Sequence, residues 1–102
     1  MAKYMTNSFL ALKVIDCNEM YDLCQSLGLN YDNIRELWVA DPRIGSSHTF
    51  VYDDNRGFGG SCFPKDSSAI YKQAQDANVD LLLIENTINK NNFYKKNKGD
   101  KN

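Results

Sequence analysis

The chain has 102 residues, enough for one domain with a core of its own and too few for two. Its 42% hydrophobic and 25% charged content is that of an ordinary soluble globular protein, and a formal net charge of −1 gives no electrostatic ground for binding nucleic acid or a membrane surface. No apolar run approaches the roughly 20 residues of a membrane span, Met1 leads straight into a helical pattern rather than a leader, and three cysteines without paired spacing plus a single His48 indicate neither a disulfide framework nor a metal site, so the expected compartment is the cytoplasm.

From Ala2 to about Leu27 there is neither proline nor glycine, and apolar residues recur at helical spacing in two lines. Leu10, Val14, Cys17, Tyr21 and Cys24 form one; Met5, Phe9, Leu12, Met20, Leu23 and Leu27 form the other. This predicts one long helix covered on more than one side, which so small a domain can hardly do within a single copy, so a homodimer through the first helix is expected. Cys17 and Cys24 stand two turns apart, about 10 Å, too far to bridge within one helix, and read as small core residues.

Gly28 ends the first helix, and Asn30 or Asp32 can cap a second through Ile34, Leu37, Trp38 and Val39, with Trp38 as a core anchor and Pro42 as the stop. Residues 46–60 are polar and Gly-bearing, with Asp53-Asp54-Asn55-Arg56 as a loop tip; a loop of this length in a compact domain is usually functional or mobile. Asp53 and Asp54, without further oxygen ligands, read as solvated carboxylates. A third helix is expected from Pro64 to about Asn78 through Ala69, Ile70, Ala74 and Ala77, and a fourth from Leu81 through Ile84 and Ile88 to Lys96. The result is an all-α, four-helix domain with one long N-terminal helix over residues 1–94, followed by a lysine-rich, disordered tail over residues 95–102.

The most informative stretch is Gly57-Phe58-Gly59-Gly60-Ser61-Cys62-Phe63-Pro64-Lys65-Asp66. Glycine permits positive φ and close backbone approach to a ligand, while Pro64 suits the first turn of a helix, which puts Cys62 just before a helix N-terminus. Unpaired N–H groups and the positive dipole end there favour the thiolate, the nucleophilic form. By composition alone the same stretch also describes a Gly-rich turn whose small cysteine caps a helix. Lys3 and Asn7, four apart, project from one helical face, and both end in hydrogen-bond donors suited to an oxygen that gains negative charge; the same pair also fits a solvated surface. Asp66 lies one turn beyond Cys62, where a carboxylate could hold Lys3 or order a water, or simply partner the helix dipole.

Gly-x-Gly-Gly-x-Cys-x-Pro-Lys-Asp resembles the nucleophile loop of the UDP-glucose/GDP-mannose dehydrogenase family. Further matches fall in order at Lys3 through Ala11, at Asn18-Glu19 and at Asp41-Pro42-Arg43-Ile44-Gly45, the last closer to the UDP-glucose branch. Together they span roughly residues 2–90 and resemble the family's central helical, dimerising domain. The resemblance implies removal of two hydrides in succession from C6 of UDP-glucose, passed to two NAD+ molecules, to give UDP-glucuronate. It implies Cys62 as nucleophile, Lys3 and Asn7 as oxyanion donors, and Asp66 as the carboxylate that works with Lys3 on the water. Arg43 would reach the sugar in the neighbouring subunit's site; Phe58, Gly59 and Gly60 would close over the nucleotide sugar; Lys65 would face the nicotinamide. Asp16 and Cys17 depart from the pattern, and the loop before Arg56 is longer than the family's shortest; neither touches the chemistry.

No strand–Gly-x-Gly-x-x-Gly–helix unit is present, so the NAD-binding and C-terminal domains of the family are expected to be missing, with a separate NAD-binding chain as a possible partner. By itself such a chain is expected not to oxidise anything. A non-catalytic dimerisation module is the alternative, and a small thiol hydrolase pairing Cys62 with His48 is a third reading that lacks any orienting partner for the histidine.

Overall fold

The computed structural model describes residues 1–100, with side chains through Lys96. Four helices make up the domain, α1 (Ala2–Ser26), α2 (Tyr31–Trp38), α3 (Cys62–Asp76) and α4 (Leu82–Asp100), and among the described residues there is no strand, in keeping with the all-α expectation. None of these helices is long and apolar enough to cross a membrane.

The helix ends follow local chemistry. Gly28 takes φ +70° at the close of α1, and Leu29 N–H donates to Cys24 O at 2.8 Å, a Schellman end in which the glycine carries the left-handed turn. Asn78 does the same for α3 at φ +59°, with Val79 N–H on Ala74 O at 2.8 Å. Of the two candidate caps for α2, Asn30 is the one used: its side-chain oxygen accepts from Asn33 N–H at 3.1 Å.

Two starts and stops differ from expectation. α3 begins at Cys62, not Pro64, so the proline sits third in the helix; a missing N–H is tolerated there because the first four amides have no intrahelical partner anyway. α4 runs on through Asp100, so residues 95–100, read from sequence as part of a tail, continue the helical backbone; Lys101 and Asn102 lie outside the described residues.

α1 is the spine. Its inward line is Ser8, Ala11, Ile15 and Asn18, spaced three and four apart, and the small Ser8 and Ala11 let α3 approach closely. Asn7 meets Asp66 while Val14 and Phe63 share a cavity wall, so pairs climb α1 as they descend α3 and the two helices run antiparallel. One core cluster joins Ala11, Ile15, Phe58 and Tyr94, with Val14 and Phe63 against it; a second joins Cys17, Cys24 and Tyr31 to Tyr21, Trp38 and Val51. Cys17 and Cys24 are thus core thiols as expected, and burial pushes the Cys17 thiol up from its ordinary value. Trp38 is only half-buried, and Leu37 is 80% exposed. α2 instead turns Tyr31 and Arg35 inward.

Two buried phenols fix the alkaline limit of the fold. Tyr31 is pushed well up by burial and by its contact with Cys17, and Tyr94 by burial and by donating to Asp22 Oδ2 at 2.7 Å. The native state favours the neutral phenol, so this stability is fully present below the unfolded tyrosine value of about 10 and is lost as pH rises beyond it. Urea midpoints should therefore fall between pH 9 and 11, roughly spanning that value, and a Tyr31→Phe/Tyr94→Phe variant should lose less of its midpoint over the interval.

Candidate active site

The long segment between α2 and α3 is pinned at several points. Thr49, fully buried, accepts from Tyr31 Oη through its carbonyl at 2.7 Å and from Arg35 Nε through its hydroxyl at 2.9 Å, while its own hydroxyl donates to Ser46 O. Arg35 in turn lies 3.6 Å from the centre of the Phe50 ring. Farther along, Asp53 accepts from Tyr21 Oη, and Arg56 sits 4.7 Å from the centres of both the Tyr21 and Tyr94 rings. Arg56 also donates to Asn18 Oδ1, Asn18 O and Asp22 Oδ1 at 2.7, 3.0 and 2.8 Å.

These anchors deliver the glycine-rich stretch to the start of α3. Gly57 and Gly60 both take φ +77°, a conformation other residues adopt only with strain. Cys62 is the first residue of the helix, exposed, with Ser61 Oγ 4.0 Å from its sulfur; no side chain caps this end, so the amides of the first turn are left open toward the thiol's side. One turn on, Asp66 is completely buried and its Oδ2 accepts from Asn7 Nδ2 at 2.7 Å. Its Oδ1, like Ser67 Oγ, meets no hydrogen-bonding partner among the described residues.

Of the residues singled out from sequence, the fold joins Asn7 directly to Asp66. Lys3 is exposed one turn before Asn7 and makes no ion pair among the described residues. Phe58 is buried in the core, its ring 6.3 Å from Phe63; Gly59, Gly60 and Lys65 are exposed beside it. Arg43 lies outside this group. It belongs to a turn in which Arg43 N–H donates to Asp41 Oδ1 at 2.9 Å and the guanidinium grips the same carboxylate at 2.7 Å, with 86% of the arginine side chain exposed. That grip holds the Asp41 carboxyl below its usual range. Lys13 Nζ, donating to Ile44 O at 3.0 Å, ties the turn to α1.

Between α1 and the loop lies a cavity of about 340 Å³ walled by Val14, Asn18, His48, Phe50, Phe58 and Phe63 among others, with Cys62 next in sequence to its last wall residue. His48 bonds Ser47 Oγ and packs 5.4 Å from the Phe63 ring. Sequence reasoning passed over Asn18, Asn91, Arg56 and Arg35 as site-building groups. The signal for Asn18 was available: it is a polar residue on the same helical line as Ala11 and Ile15.

Exposure ranks the thiols. Cys62 is open while Cys17 and Cys24 are buried, so iodoacetamide should label Cys62 at least about tenfold faster near neutral pH, as read by mass spectrometry of the digested protein. Equal rates would remove Cys62 as a working nucleophile.

An uncapped helix start that presents an exposed thiol, with a buried carboxyl one turn on held by an amide from a neighbouring helix, defines a helical domain built around a thiol loop. The central-domain model of the UDP-glucose/GDP-mannose dehydrogenase family matches residues 1–93, and the chain belongs to that family. Among relatives, UDP-glucose 6-dehydrogenase of Rhizobium meliloti is 40% identical over 99 residues, covering 97% of this chain and 22% of its own length. The enzymes of that name from Rickettsia prowazekii and Pseudomonas aeruginosa are 37% and 39% identical, over 93% and 81% of this chain and 21% and 18% of theirs. The chain thus spans about a fifth of the length of these relatives.

Proposed function

We propose that this chain is the substrate-side, dimerising domain of an NAD-dependent UDP-glucose 6-dehydrogenase of the cytoplasm, with Cys62 as the nucleophile of the second oxidation. The observation that carries the reading is the Asn7–Asp66 hydrogen bond, which ties the amide of α1 to the turn that begins with the thiol. An amide NH₂ has two donors. With one held by Asp66 Oδ2, the other is left in a fixed direction for an oxygen at the reacting carbon.

The first oxidation converts the C6 alcohol of UDP-glucose to an aldehyde. Cys62 as thiolate then adds to that aldehyde carbon, a C–S bond forms, and the former carbonyl oxygen carries the charge that Asn7 and the ammonium of Lys3 stabilise. Loss of a second hydride from C6 gives a thioester. Water adds to it, the C–S bond breaks, and UDP-glucuronate leaves as the thiol is restored; the unpaired Asp66 Oδ1 is the acceptor available to orient that water. NAD+ supplies the hydride acceptor in both oxidations. The exposed first turn of α3, with Lys65 three residues after Cys62, fits a nicotinamide brought from solvent side by another domain.

A site shared between copies is supported by the exposure of Arg43, whose side chain is 86% exposed even while it holds Asp41. Met5, Phe9, Leu23 and Leu27 on α1 and Leu37 on α2 stay half-exposed or more, which supports a homodimer through α1. The same face favours the second reading, a dimerisation module without chemistry. Completing the chain with a separately made dinucleotide-binding domain of a relative and following NADH with UDP-glucose separates the two. Activity that vanishes with Cys62→Ser supports the enzyme; pairing with an intact dehydrogenase that changes its rate irrespective of Cys62 supports the module.

A further inference from the structure

Two buried amides touch the backbone of the glycine-rich stretch from opposite helices. From α1, Asn18 is 2% exposed; its Nδ2 is committed to Val14 O at 2.8 Å, and its Oδ1 accepts both from Gly57 N–H at 3.1 Å and from Arg56 Nε at 2.7 Å. From α4, Asn91 is 6% exposed, and its Oδ1 accepts from Phe58 N–H at 2.7 Å. That same oxygen would collide with a Cβ at position 57, so glycine there is required by contact as well as by its φ of +77°. Arg56 is wedged between two tyrosine rings and shares Asp22 with Tyr94 Oη, so the group that sets the Asn18 amide is itself held. Consecutive peptide N–H groups, four and five residues before the thiol, are thereby fixed by two oxygens on different helices.

We propose that Asn18 and Asn91 are positioning residues for Cys62: their side-chain oxygens, by holding the amides of Gly57 and Phe58, set the path of the backbone that aims the thiol at the start of α3. The inference rests on Cys62 being the working thiol. It concerns hydrogen-bond acceptance, not volume. Aspartate in place of Asn91 keeps the accepting oxygen, whereas alanine removes it and leaves Phe58 N–H buried and unpaired.

Amide exchange by NMR and iodoacetamide labelling of the intact chain test it together. In Asn91→Ala, Phe58 N–H exchange should rise by about tenfold or more, with buried amides of α1 unchanged. Cys62 alkylation should shift by roughly threefold or more, with Cys17 and Cys24 still protected. Asn91→Asp should stay within about twofold of the native chain in both readouts. Arg56→Lys, which keeps the charge beside Asp22 but not the fork on Asn18, should release Gly57 N–H in the same way and serves if Asn91→Ala does not fold. The proposal is overturned if freeing either amide leaves Cys62 alkylation at the native rate, or if Asn91→Asp behaves like Asn91→Ala. Failure of the chain, completed with a dinucleotide-binding domain, to form NADH with UDP-glucose would remove the enzymatic reading without touching these outcomes.

Discussion

Cys62→Ser will stop the completed enzyme at the aldehyde, lowering UDP-glucuronate formation on the order of 10³-fold or more, the scale on which loss of a covalent nucleophile is felt. The substitution changes one atom at an exposed helix start, so the fold should lose no more than about 0.5 kcal/mol. A serine hydroxyl is protonated at neutral pH, and among the described residues the side-chain group bonded at this position is Ser61 Oγ, which is no general base, so addition to the aldehyde has no nucleophile to begin it. The diagnostic measurement is stoichiometry. NADH formed per UDP-glucose consumed should drop from two for the parent toward one for the variant, while UDP-glucose affinity by calorimetry stays the same. Retained two-electron-pair oxidation would show that C6 is oxidised without passing through the sulfur.

Asn7→Ala should act on stability and rate at once. It leaves Asp66, wholly buried, with neither carboxyl oxygen bonded, at a cost of about 1–3 kcal/mol, which lowers the melting temperature by roughly 4–8 °C for each kcal/mol in a domain this size. In the completed enzyme, on the proposed role of Asn7, it should also remove an oxyanion donor, a loss worth about 10²–10³ in rate. Pairing it with Asp66→Ala in a double-mutant cycle isolates the contact: once the carboxyl is gone, deleting Asn7 should destabilise little further. Additive losses would mean that the two side chains do not act as a pair.

The four helices were legible because their signals are local. Gly28, Asn30 and Asn78 each end or begin a helix through a bond to a residue within five positions, whereas the pairing of Asn7 with Asp66 joins two helices and is not read from spacing. The start of α3 was misjudged by two residues because Pro64 is allowed anywhere in a first turn, not only at its first position. Lys3 shows a different gap: its spacing from Asn7 put both on one face, but it is Asn7 that meets Asp66, through a contact between residues more than fifty positions apart, while Lys3 makes no ion pair among the described residues. The inward turn of Arg35 was hidden for a similar reason. Its partners, Thr49 and Phe50, lie in a segment with no periodicity to read, and Leu37, the residue a hydrophobic pattern would bury, faces out.

The inner surface of α4 carries Thr87, Asn91 and Tyr94 where a bundle helix ordinarily carries leucine, while Leu82, Leu83 and Phe93 face away. Apolar cores drift readily, since one aliphatic residue replaces another at small cost provided volume is kept. This helix lacks that freedom. A leucine at 91 would fill much the same space and strand an amide, so lineages descending from this sequence should vary the outer side of α4 widely and its inner side hardly at all.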